Sequence, residues 1–295
     1  MKAACDQIIA ELRRFDYVAD EDIASALFLA DRLQKPLLVE GEAGVGKTEI
    51  ARVLARLKST QLVRMQCYEG LDFSSALYEW NYQKQIVSLR LNELKNNTAL
   101  TINELYSEDY LLPRPILRAL LAPQRVVLLL DEIDRADEEF EALLLETLAD
   151  YQLTIPELGT LKAKSVPYVI LTSNRTRELT DALRRRCLYL WIGYPNFEKE
   201  LAVIRINVPE MAPALTTKVT AFTQALRREK LNKAPGLSEA VDWAKALQAG
   251  GVRILDRPAM EFSIGCLLKD HEDIRLFNST LATSLLDSVA DGGEN

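Results

Sequence analysis

The sequence predicts an α/β fold: a five-stranded parallel sheet with helices on both faces, followed by an all-helical domain. Three observations predict it. Between residues 36 and 192 short apolar runs alternate with segments of 3.6-residue apolar period, the pattern of strand–helix–strand units. The first apolar run, Leu37-Leu38-Val39-Glu40, opens into a glycine-rich loop that ends at Thr48, and a helical pattern follows as far as Leu57. From Pro195 onward only helical periodicity remains. The expected domains are therefore 1–194 and 195–295.

Residues 1–35 read as two helices. Ile8, Ile9, Leu12 and Phe15 recur at helical spacing, as do Ile23, Ala26, Leu27, Ala30 and Leu33. The link Phe15–Asp20 leads to an acidic helix start. In many P-loop ATPases such a link packs on the adenine ring, which makes Tyr17 and Val18 candidates, with ordinary core packing the other reading.

Gly41, Gly46, Lys47 and Thr48 then fit the phosphate-binding pattern G-x-x-x-x-G-K-[ST], in the strand–loop–helix context that gives the pattern its meaning. Gly41, Gly44 and Gly46 let successive N–H groups turn inward around an anion. The helix start behind them adds roughly half a positive charge. On this reading Gly41, Glu42, Ala43, Gly44, Val45, Gly46, Lys47, Thr48 and Glu49 bind the phosphates of ATP. Lys47 meets the β- and γ-phosphates, and the Thr48 hydroxyl holds Mg2+.

Gln61–Gln66 reads as the second strand. Cys67–Lys84 carries Tyr68, Phe73, Tyr78, Trp80 and Tyr82, either as a partner-facing loop or as a locally packed substructure. Ile86–Leu112 reads as helical and polar. Arg125–Leu130 is a continuous apolar run suited to a strand buried on both faces, and it ends in Asp131-Glu132-Ile133-Asp134. An apolar strand delivering an acidic pair at its carboxyl end is the Walker B arrangement. Asp131 holds Mg2+ through its water shell, and Glu132 orients or deprotonates the attacking water.

A helix over Asp137–Ala149 precedes a small hairpin at about 152–163. Tyr168–Ser173 is another buried strand, and Asn174 at its tip is placed to position the lytic water. A short helix, Leu179–Arg186, ends in three arginines before the fifth strand, Leu188–Trp191. Nucleotide belongs at the carboxyl ends of such strands. Beyond Pro195 lie helices at Phe197–Val208, Ala214–Leu231, Ser238–Ala249 and Pro258–Leu268. The acidic, glycine-containing tail Asp287–Asn295 reads as frayed.

Composition narrows the function classes. The 295 residues are 48% hydrophobic and 27% charged, with a net charge of −7, which gives no electrostatic footprint for nucleic acid. Cys5, Cys67, Cys187 and Cys266 are widely spaced, and His271 is the single histidine, so neither a disulfide frame nor a zinc or histidine-based centre is expected. No apolar run approaches the ~18–20 residues of a membrane span and no signal-peptide pattern opens the chain, so the cytoplasm is the expected location.

The order of these motifs resembles the AAA+ ATPases and, within them, the MoxR family. The matching residues are Gly41–Thr48, Asp131–Ala136, the strand tip Leu171–Asn174, Asp181–Arg186 and the Gln152–Ala163 hairpin. Arg64–Asp72 and Ala76–Gln83 look like the CoxD-type branch, which is linked to maturation of the molybdenum–copper centre of carbon monoxide dehydrogenase. The resemblance covers most of 17–250. It implies that Asn174 is sensor 1 and that Arg186, with Arg185 as the second candidate, is an arginine finger acting on ATP in a neighbouring subunit. A solvated helix end is the plainer reading of the arginine run. The resemblance further implies a homo-oligomeric ring, commonly a hexamer. It also implies a partner with a von Willebrand factor A domain and a metalloenzyme client. The stretch Pro235–Ala240, where the family commonly has a sensor 2 arginine, has none. Lys245 or Arg257 would have to substitute, or the lid senses nucleotide differently.

Two rivals remain at this stage. A clamp-loader-like or helicase-loading ATPase shares the order Arg186-Cys187, but the acidic net charge opposes it. A GTPase is disfavoured because Asn232-Lys233-Ala234-Pro235 lacks the aspartate that reads guanine.

Overall fold

The computed structural model describes residues 2–94 and 101–291. The chain divides into two compact units. The first takes Met1–Ile8, Asp20–Glu40 and Thr48–Trp191; the second takes Ile9–Ala19, Gly41–Lys47 and Ile192–Asn295. Two short N-terminal segments thus group with the helical part. Sequence periodicity, which is local, carries no sign of that grouping.

Nine strands occur among the described residues: β1 (Leu37–Gly41), β2 (Leu62–Gln66), β3 (Tyr78–Trp80), β4 (Leu111–Pro113), β5 (Val127–Asp131), β6 (Gln152–Ile155), β7 (Gly159–Lys162), β8 (Tyr168–Ser173) and β9 (Leu188–Ile192). Five of them make the parallel sheet, in the order β2-β5-β8-β1-β9. β5 is buried along its whole length, as its unbroken Val/Leu run requires when helices cover both faces. The register aligns Gln66 with Asp131, Leu130 with Leu171, and Glu40 with Ser173, so the polar tips of these strands end side by side. The core of this unit is aliphatic: Leu38, Val63, Leu117, Leu128, Leu130, Ile133, Leu144, Leu171 and Leu183 are all almost fully buried.

Ile86–Leu112 is not the single helical stretch that its composition suggests. A helix spans Tyr82–Leu94, a single turn spans Ile102–Leu105, and β4 pairs antiparallel with β3. Residues 95–100 of that expectation lie outside the described residues. Pro113 and Pro115 withhold the N–H groups that a helix would need there, whereas the pairing of Leu111 with Trp80 buries both side chains. Tyr78 and Trp80 are buried. Edge-to-face contacts run from Phe73 to Tyr78, to Trp80 and on to Tyr106, with centroid separations of 5.1, 6.1 and 5.0 Å. Local packing therefore accounts for the inner aromatics, while Tyr68, Phe73 and Tyr82 stay exposed.

The second unit packs helices Phe197–Asn207, Pro213–Leu226, Leu237–Ala249 and Arg257–Leu267 around Ile204, Phe222, Trp243, Met260 and Phe277. The Trp243 indole donates to Ser263 Oγ at 2.8 Å, so its one polar atom is satisfied inside the core. Of the tail read as frayed, 287–291 continue a helix. Helices at His271–Leu276 and Ala282–Asp291 flank a π-helical segment, Phe277–Leu281, and buried Phe277 and Leu285 tie them to the core. Residues 292–295 lie outside the described residues. Glu200, fully buried, accepts two bonds from the Arg227 guanidinium, at 2.7 and 2.6 Å, and one from Gln224 at 2.5 Å. Arg227 Nε donates to the Pro235 carbonyl at 2.6 Å, which fixes the turn before the Leu237–Ala249 helix.

Candidate nucleotide site

The glycine-rich loop belongs to the second unit. Gly44 and Gly46 have φ of +73° and +92°, a region that side chains disfavour. A Cβ at Gly46 would meet nothing within 4 Å, so backbone conformation, not crowding, demands glycine there. Lys47 folds back over the loop: its ammonium donates to the carbonyl oxygens of Gly41 at 2.8 Å and Glu42 at 2.6 Å. Ala43 and Val45 complete the loop, Val45 with its side chain buried. The loop also touches the start of the Leu237–Ala249 helix. The Ser238 backbone N–H and hydroxyl both donate to the Gly44 carbonyl, at 3.0 and 3.1 Å. A Cβ at Gly236 would fall 2.7 Å from the Ala43 carbonyl oxygen and 2.9 Å from Gly44 Cα, so this approach requires glycine. Position 236 lies within the stretch where sequence reasoning finds no sensor 2 arginine. Of the two suggested substitutes, Lys245 lies 4.0 Å from Asp242 and Arg257 lies 2.8 Å from Glu261, both on the surface.

Thr48 follows Lys47 directly in the helix Lys47–Leu57 and belongs to the first unit. Its hydroxyl donates to Asp131 Oδ1 at 2.9 Å. The Thr172 hydroxyl donates to the same oxygen at 2.6 Å and accepts from the Glu132 N–H at 2.9 Å. Arg64 occupies the other oxygen, Oδ2, through Nε at 3.0 Å and Nη2 at 2.7 Å. Glu132 sits in a left-handed conformation, φ +56°, and its carboxylate pairs with Arg135 at 2.7 Å. A non-glycine residue held at positive φ stores strain that the surrounding contacts must offset. Glu49, in the first turn of the helix, pairs with Arg52 at 3.2 Å on the surface.

Asn174 follows the last residue of β8 and is half-buried. The next residue, Arg175, is also left-handed (φ +57°) and stacks over Trp191, 3.8 Å from the buried Glu40 carboxylate. Ser173 and Tyr189 hydroxyls donate to that carboxylate at 3.3 and 3.1 Å. At the end of Asp181–Arg186, Arg185 reaches toward Asp181 at 3.6 Å and Arg186 donates to the Ala182 carbonyl at 3.1 Å. Both arginines are exposed.

The electrostatics of the strand tips register on a neighbour. Cys67 is pushed up to about 12, mainly by burial and then by the negative charges of Asp131, Asp134 and Glu132. Cys67, Glu132 and Asp134 line an open groove of about 890 Å3, together with Gln66, Glu69, Arg135 and Thr176 among others. Sequence reasoning finds the acidic pair but misses Arg64, Arg135 and Thr172 as its partners. The register of β2 and β8 on β5 brings Arg64 and Thr172 there, and the turn Ile133–Arg135 brings Arg135.

These residues suit a magnesium nucleotide. The positive-φ glycine loop leaves open space where a side chain at Gly46 would stand, as a phosphate cradle requires. Asp131 and Thr48 supply one carboxylate and one hydroxyl oxygen. Among the described residues no cluster of three or more acidic, histidine or cysteine ligands occurs. One carboxylate and one hydroxyl suit Mg2+, which keeps several waters when bound.

Fold and loop together define a P-loop ATPase of the AAA+ class. The chain belongs to the AAA domain family, dynein-related subfamily, whose model matches residues 36–187, a little over half its length. It is 27% identical over 239 residues to an uncharacterized protein of Staphylococcus epidermidis, covering 79% of this chain and 81% of the relative. A Staphylococcus haemolyticus protein is 26% identical over the same length, covering 78% and 81%. Among solved structures, a mutant RuvB of Thermotoga maritima superposes with a TM-score of 0.53 at 15% identity, covering 93% of this chain and 83% of that one. A second RuvB mutant gives 0.52 at 14%, covering 92% and 80%. At such identity the likeness concerns the fold alone. No helix among the described residues is long and apolar enough to cross a membrane.

Proposed function

We propose that the chain hydrolyses ATP at the glycine loop and the β5 tip, and uses the energy to remodel a protein client in the manner of MoxR-type ATPases. The observation that carries this reading is the Thr48–Asp131 hydrogen bond. It joins the residue next to the loop lysine to the first acid of the strand tip, the two groups that would share Mg2+. When bound, Mg2+ would be held by Thr48 and Asp131 and would neutralise charge that builds up on the phosphates.

The chain's own groups supply the rest. The N–H groups of Gly44–Thr48 hold phosphate oxygens, and Lys47 exchanges its carbonyl partners for the β- and γ-phosphates. Glu132 orients or deprotonates the attacking water, for which it must leave Arg135. Asn174 is suited by its strand-tip position to hold the same water. Arg186, or Arg185 beside it, would act on ATP in the next subunit of a ring, because each is exposed and bonds to a partner in its own short helix, Arg185 to Asp181 and Arg186 to Ala182. Fingers of this kind are worth about 10³–10⁵ in rate. A hexameric ring, a von Willebrand factor A partner and a metalloenzyme client of the carbon monoxide dehydrogenase type complete the proposal, and they rest on the family resemblance.

Lys47→Ala should abolish nucleotide binding, Glu132→Gln should bind ATP without turnover, and Arg186→Ala should lose turnover with ATP affinity kept. Wild-type turnover in Glu132→Gln would remove the Walker B assignment. Affinity capture with Glu132→Gln and Mg-ATP as bait, against Lys47→Ala, tests the client. The second reading is a nucleic-acid-associated ATPase, to which the RuvB fold likeness points. The net charge of −7 opposes that reading. DNA binding with a steep salt dependence would establish it instead.

A further inference from the structure

We propose that Arg64 is a positioning residue that weakens the grip of Asp131 on a divalent cation, so that the metal–product complex can leave. The inference rests on the reading of Asp131 as the metal-holding carboxylate. Arg64 and Gln66 alternate with buried Val63 and Met65 on β2 and so share the outward face. In register Arg64 lies opposite Leu129, two residues before Asp131, a diagonal that a long side chain can span. Its guanidinium places two donors on Oδ2, and Nη2 also donates to Gln66 Oε1 at 2.7 Å.

The two carboxylate oxygens have separate holders. Thr48 and Thr172 keep Oδ1 in place, whereas Arg64 brings positive charge to Oδ2. The carboxylate side chain is only 4% exposed and the guanidinium 45% exposed. A cation approaching Asp131 therefore meets a carboxylate already shared with a fixed positive charge in a poorly screened place. Removing the guanidinium removes that competition, and the two threonine bonds keep Oδ1 oriented. The net effect of its loss is tighter, not weaker, metal binding.

Mn2+ titrations of the full-length protein with ADP, read by electron paramagnetic resonance, test this. Arg64→Met and Arg64→Gln should both tighten Mn2+ by about tenfold, and Arg64→Lys should stay within about twofold of wild type. Arg64→Gln keeps a hydrogen-bond donor without charge, so it carries the test if Arg64→Met fails to fold. Unchanged or weaker Mn2+ binding in the folded neutral variants would overturn the proposal and leave Arg64 a packing or orienting residue. Calorimetry with ADP in EDTA runs alongside. Should wild type bind ADP neither there nor with Mg2+ present, the nucleotide reading falls and this inference with it. If ADP binds equally well to all variants while the Mn2+ affinities coincide, the inference alone falls.

Discussion

Arg227→Met offers the sharpest test of how the helical unit is held together. Methionine keeps an unbranched stem and removes the guanidinium with its charge. Three hydrogen bonds go with it: two to Glu200 and one to the Pro235 carbonyl. Glu200 is fully buried, and Gln224 would be its only remaining side-chain partner among the contacts described above. Breaking a buried pair from one side leaves an uncompensated charge and typically costs about 3–5 kcal/mol. The loss should be local, because the same guanidinium anchors the turn that leads into Leu237–Ala249. Hydrogen exchange by mass spectrometry, read on peptides from 213–249, should show an opening free energy lowered by about that amount. Arg227→Lys should recover only part of it, because an ammonium cannot reproduce the bidentate fork. A drop below about 1 kcal/mol, or full recovery with lysine, would refute the idea that this pair stabilises the unit.

Other expectations follow from single sites. Gly46→Ala and Gly236→Ala should both impair the loop, by different causes. The first adds strain of about 1–2 kcal/mol at positive φ. The second drives a methyl into backbone atoms of Ala43 and Gly44, so truncating the Glu239 side chain should not rescue it; comparison of ADP affinities in the single and double variants checks this. Burial acts to raise Asp31, but its hydrogen bonds and charge pairing with Lys58 and Arg125 prevail and hold it below its usual 3.8. Its contribution to stability is therefore present above about pH 4 and lost as pH falls through the lowered value. Urea titrations at pH 3 and 6 should show Asp31→Asn flattening that acid limb. Cys67 and Cys187, each pushed up to about 12 by burial first, should escape alkylation at pH 8 in the folded chain; labelling of either at the rate of a free thiol would contradict their placement.

The sheet was legible because its signal is local. Val126–Leu130 and Val169–Leu171 are runs that only a doubly covered strand needs. The glycine loop was legible because its spacing has few other uses. What escaped were features that depend on distant neighbours. β4 forms because Leu111 meets Trp80, not because Leu111–Pro113 has a strand's composition. The helices beyond residue 270 are anchored by Phe277 against Phe222, with ring centroids 6.0 Å apart. At the site, the carboxylates were visible in the sequence and the groups that restrain them were not. Arg64 and Thr172 sit far from Asp131 in the chain and reach it only through strand register.

The strand order has a consequence for biosynthesis. β1, which leads into the phosphate loop, is flanked by β8 and β9, the last two strands of the sheet to be made. During translation β1 emerges early, yet it cannot find either neighbour until the ribosome has passed residue 168, nor both until it has passed 192. Its apolar Leu37-Leu38-Val39 edge must wait that long, exposed to premature pairing or to the chaperones that shield such segments. Truncations that stop short of β9 should leave a nascent chain that is prone to aggregate and has no framed nucleotide loop.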